Sequence, residues 1–70
     1  MLPLLFAKQG ERYTIKHIGG SQEQKKHLEN LGFVVGGEII VVNESAGNLI
    51  VNVKESRVGV SLELAKKIMI

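Results

Sequence analysis

Apolar and polar positions along this chain change their spacing several times, and each change marks an element. In "QGERYTIKHIGG", Tyr13 and Ile15 alternate with Thr14 and Lys16, the two-residue period of a half-buried strand. Ile18 breaks the alternation, so the strand bends or ends there, ahead of Gly19-Gly20. "SQEQKKHLENLG" then switches to helical spacing. Gln24, Leu28 and Leu31 fall on one face with His27 beside it, while Glu23, Lys26 and Asn30 point away. Ser21 followed three positions later by Gln24 is a capping box, and Gly32 supplies the left-handed residue that ends many helices. So narrow an apolar stripe covers one end of a core rather than forming it.

The second half of the chain reads as consecutive antiparallel strands. Ile39 to Val42 is an unbroken apolar run, which predicts a strand buried on both faces or crossing between packed layers. Leu49, Val51 and Val53 alternate with Ile50, Asn52 and Lys54, and "ESAGN" before them has the length and glycine of a hairpin loop. "KES" makes the next tight turn, and Val58 and Val60 begin another strand. Ser61 caps a predicted helix, "LELAKKI", with Glu63 in its first turn and Lys66 and Lys67 in its last, where they complement the helix dipole. The terminal "IMI" closes a small sheet. The fold class that follows is mainly β with short helices. It is a single domain, residues 1–70, folded as a small, partly open β-barrel, with one helix between the first and second strands and a short one near the C-terminus.

"NLGFVVGGE" sets three bulky apolar residues between one glycine and a glycine pair. Phe33 is assigned to the core, as large apolar residues usually are. Val34 and Val35 sit on a turn between glycines, where side chains are hard to bury fully. With Leu31 and Gly32 they form the predicted partner-binding surface.

Composition narrows the function more than the fold. A 44% hydrophobic and 23% charged chain is ordinary for a globular domain and excludes disorder. A net charge of only +2, with lysines scattered and Phe6, Tyr13 and Phe33 the sole aromatics, lacks the clustered positive charge and stacking platforms of a nucleic-acid binder. The absence of cysteine removes disulfides and thiolate metal sites. "MLPLLFAK" has neither the basic flank nor the cleavage site of a secretory signal, and no apolar run approaches the roughly 20 residues that span a bilayer. A cytoplasmic location is expected.

The chemical inventory is thin. Neither histidine stands in a motif with a serine or carboxylate, and the four serines have turn or capping roles. The glycines form no phosphate-binding loop. His17, Glu23 and His27 are the nearest approach to a metal-ligand set, of a type suited to Fe(II), Mn(II) or Zn(II), but their spacing matches no ligand motif. The expectation is therefore a protein that is not an enzyme and holds neither a cofactor nor a dedicated metal.

Taken in order, these elements resemble the FeoA-like domains of bacterial ferrous-iron transport. The resemblance is carried by Gly10-Glu11, by Ile15 and Ile18 before Gly19-Gly20, and by Leu28, Leu31-Gly32-Phe33 and Gly36. It continues through Val58 and Val60 to Ala65, Ile68 and Ile70. It implies an SH3-like barrel and a non-enzymatic accessory role. The implied partner is a membrane ferrous-iron transporter whose cytoplasmic G domain binds and hydrolyses GTP, which would hold this chain peripherally at the inner face of the membrane. Similar domains are appended to metal-dependent repressors, so the alternative is a free-standing SH3-like regulatory or interaction module, self-associating or peptide-binding. Val35 departs from the proline common in the family, and Ser61 from a basic residue.

Overall fold

The computed structural model describes all 70 residues. Leu4–Phe6 forms a single 3-10 turn, followed by β1 (Arg12–Thr14), β2 (His17–Ile18), α1 (Gln22–Asn30), β3 (Glu38–Ser45), β4 (Asn48–Val53), β5 (Ser56–Ser61), α2 (Leu62–Ala65) and β6 (Ile68–Met69). Two antiparallel sheets result, a four-stranded one in the order β1-β3-β4-β5 and a two-stranded one pairing β2 with β6. No ladder closes them into a complete barrel, so the partly open form expected from the sequence is what the strands adopt.

The predicted first strand is divided. The chain leaves β1 after Thr14, and Ile15 exchanges backbone hydrogen bonds with the Gly36-Gly37 turn: its N–H donates to Gly37 (2.9 Å) and its carbonyl accepts from Gly36 (2.8 Å). Lys16 then donates to Met69, which carries the chain into the second sheet. The chain thus turns at Ile15-Lys16, between β1 and β2, while a strand does end at Ile18 as expected, and α1 follows the second strand instead of the first.

The run Ile39–Val42 is not buried on both faces. Ile39 and Val41 are buried while Ile40 and Val42 are partly exposed, and the register with β4 shifts between Val41 and Asn43. The run therefore keeps the two-residue period, with Ile40 and Val42 on the partly exposed face, and Val42 is the extra residue of a β-bulge that follows it.

Both helices start as predicted. The Gln24 N–H donates to the Ser21 hydroxyl and the Ser21 N–H to the Gln24 amide oxygen, completing the capping box; the Leu64 N–H donates to the Ser61 hydroxyl. The second helix is shorter than "LELAKKI". It ends at Ala65, Lys66 is its C-cap, and no basic residue lies in its last turn. It stops because Ile68 must pair with Ile18 to join β6 to β2.

One core binds both sheets and both helices. Its thirteen residues are all apolar and include Leu4, Ile15, Leu28, Phe33, Ile39, Val51, Ala65 and Ile68. No buried side-chain polar atom lacks a partner.

Candidate docking surface

The position of Val34 and Val35 is set by two consecutive backbone devices. Leu31 caps α1, Gly32 follows at φ 106°, and the Gly32 N–H donates to Glu29 (3.0 Å) while the Phe33 N–H reaches back to Leu28 (2.9 Å). This is a Schellman motif, whose usual companion is an apolar contact between the residues that Phe33 and Leu28 occupy. Both are fully buried. The assignment of Phe33 to the core therefore follows from helix termination itself.

The second device begins one residue later. The Gly37 N–H donates to the Val34 carbonyl at 3.0 Å, with Gly36 at φ 90°, so Val34 to Gly37 is a type II turn with Val35 at its first central position. Ile15 holds that turn from the far side through the two bonds described above. Val34 is half-buried and Val35 is 63% exposed.

Together with Ile18, Phe33 and two residues of α1, Lys25 and Glu29, these valines line an open groove of about 250 Å³. Lys25 and Glu29 are one helical turn apart, so a cation and an anion edge an otherwise apolar floor. Such a groove can take an apolar side chain while offering its flanks to polar or charged neighbours. Of the four residues expected to form a contact surface, Val34 and Val35 line this groove. Leu31 packs partly buried against the core, and Gly32 faces Val53 and Lys54. Sequence reasoning missed Ile18, Lys25 and Glu29. The same-face spacing of Lys25 and Glu29 is visible in the sequence, but their meeting with the valine turn is tertiary.

His17 is exposed on β2, and Glu23 and His27 are exposed on α1. No three His, Asp or Glu side chains come together as a group able to hold a metal ion, so these three do not converge. A larger depression of about 810 Å³ lies on the solvent face of the four-stranded sheet, where Arg12, Ile40, Asn52 and Arg57 form one cross-strand row. Its lining is polar apart from Ile40, and Arg12 there pairs with Glu38 at 3.2 Å, both side chains well exposed. A solvated pair of that kind contributes little, and this face lacks the apolar floor of the smaller groove. No helix is long and apolar enough to cross a membrane.

The family model described as the FeoA domain matches residues 2–70. A candidate Fe(2+) transport protein A of Methanocaldococcus jannaschii is 33% identical over 70 residues, covering all of this chain and 85% of that protein. The crystal structure of an iron uptake regulatory protein (FeoA) superposes with a TM-score of 0.87 at 28% identity, over 97% of this chain and 90% of the other. A zinc-complexed FeoA of Stenotrophomonas maltophilia, described as a prokaryotic SH3 domain protein, has the same fold, with a TM-score of 0.78 at 20% identity over 99% of this chain and 88% of that one. With the order of elements and the match running from Leu2 to the last residue, the chain belongs to the FeoA family of Fe(2+) transport proteins, built on an SH3-like fold.

Proposed function

We propose that this chain is a non-enzymatic accessory protein of ferrous-iron transport. It docks on the cytoplasmic region of a membrane iron transporter that carries a GTPase domain, and it biases that transporter's nucleotide or conformational state. Family membership supports the transport role. The observation that carries the docking is the groove beside the Val34–Gly37 turn: an exposed apolar residue on a turn whose backbone is held at both ends, edged by Lys25 and Glu29. A rigid apolar projection loses little entropy on binding, which is what a docking element requires. The chain sits at the membrane's inner face only through this partner. A bias on the partner's state requires unequal affinity for its two states, since equal affinity shifts nothing.

Co-purification of the transporter's cytoplasmic region with the wild-type chain and with Val35→Asp tests this reading. Wild type is expected to be retained, and the variant to lose roughly tenfold in affinity, the scale of an interface anchor. Thermal stability should stay within about 0.5 kcal/mol, because Val35 is a surface residue. Retention of both proteins to the same extent would remove the valine turn from the interface.

A further inference from the structure

β5 is an unprotected edge. It pairs with β4 on one side only and forms the end of the four-stranded sheet. Val53 and Ser56 flank the two-residue turn at Lys54-Glu55 and so form a mutually hydrogen-bonded pair, as do Val51 with Val58 and Leu49 with Val60. Arg57 and Gly59 lie between those positions. Their N–H and C=O groups point away from β4, and neither makes any backbone hydrogen bond elsewhere. Edges are normally blunted by a proline, a bulge or several charges. Here the β4–β5 register runs without a shift, Pro3 is the sole proline, and Arg57 is the one charge in the strand. Both Arg57 and Gly59 are exposed.

We infer that β5 pairs antiparallel with β5 of a second copy of this chain, about a two-fold axis through Gly59, joining two four-stranded sheets into one. The strand Ser56–Ser61 is self-complementary in that register. Gly59 faces Gly59 of the second copy, Val58 faces its Val60, and Arg57 faces its Ser61. The backbone groups left open at Gly59 and Arg57 thereby gain partners. Val58, the β5 residue of the core face that stays half-buried, gains an apolar neighbour. Arg57 meets a hydroxyl instead of its own charge, so no like charges oppose one another. On the other face, the Ile50 Cδ1 stands 3.5 Å from the place a Gly59 Cβ would take, so Ile50 leans over the glycine and flanks the axis from each side. An unrelated extended peptide would find the same open backbone but no matched side chains.

Gly59→Lys and Gly59→Glu place like charges across the axis, and a side chain at Gly59 meets only ordinary contact with Ile50. By sedimentation from micromolar to millimolar concentration, wild type is expected to shift toward twice the 7.7 kDa of one chain. Each variant alone should self-associate roughly fivefold more weakly, and an equimolar mixture of the two should recover association. Amide exchange at Gly59 should slow with rising wild-type concentration, while the Val58 amide, already bonded to β4, is slow throughout. Exchange at the Val58 and Val60 amides also reports whether each variant is folded. A wild-type chain that stays monomeric throughout, or a dimer indifferent to both charges, overturns the inference. So does protection of Gly59 only when the transporter's cytoplasmic region is added, which would assign the edge to that partner.

Discussion

Val35 occupies the first central position of a type II turn, the place where proline fits best because its ring fixes φ near the value required there. No backbone hydrogen bond uses the Val35 N–H, so proline would remove nothing from the fold. Val35→Pro is therefore expected to stabilise the domain by about 0.4–1 kcal/mol, chiefly by restricting the unfolded chain, as read from urea midpoints at constant m-value. The turn at Lys54-Glu55 is the opposite case. Both residues have positive φ, 48° and 65°, without a glycine to relieve them. A two-residue hairpin turn of this kind favours Asn-Gly. The double substitution Lys54→Asn, Glu55→Gly should gain about 1 kcal/mol, and an unchanged or lower unfolding midpoint would show that this turn carries no strain. The chemistry of single residues was in this sense readable from the sequence. Phe33 was assignable to the core and Val35 to an exposed turn because two glycines with local roles bracket them, whereas Val34 is half-buried.

Elements with local signals were also legible. The capping box of α1, its glycine stop and both hairpins each depend on residues a few positions apart. Ser21→Ala should lower stability by about 1 kcal/mol, because it leaves the Gln24 N–H without its acceptor; thermal unfolding with far-UV circular dichroism measures it directly. What was not legible depends on contacts distant in sequence. The division of the first strand into β1 and β2 follows from the Gly36-Gly37 turn gripping Ile15. The early end of α2 follows from the pairing of Ile68 with Ile18. Lysines at positions 66 and 67 look like helix-ending cations from spacing alone, yet the strand that must follow overrides them. The groove divides the same way: its valines are set by a local turn, while Ile18 of β2 and Lys25 and Glu29 of α1 reach it only through the tertiary fold.

At the scale of the molecule, thirteen buried residues must stabilise seventy, and a domain of this size buries a smaller share of its surface than larger ones do. Association through an edge strand would offset that deficit. If β5 pairs as inferred, the melting temperature rises with protein concentration, by mass action on the folded state, and the Gly59→Lys variant shows that rise only at roughly fivefold higher concentration. A concentration-independent melting temperature for wild type would count against pairing in solution. The proposed docking surface lies on a different part of the same scaffold. The valine turn is anchored to α1 through the helix stop and, through Ile15, to the connection between β1 and β2, so its position is fixed by the two sheets and a helix together. The central claim is that this surface distinguishes states of a GTPase-bearing transporter. The most direct test is the affinity of the chain for the transporter's cytoplasmic region in its nucleotide-free, GDP-bound and GTP-analogue-bound forms. Measurable binding is expected, with unequal dissociation constants among these forms and a parallel loss in all of them for Val35→Asp. Equal affinity in every form, or no association well above cellular concentrations, would contradict it.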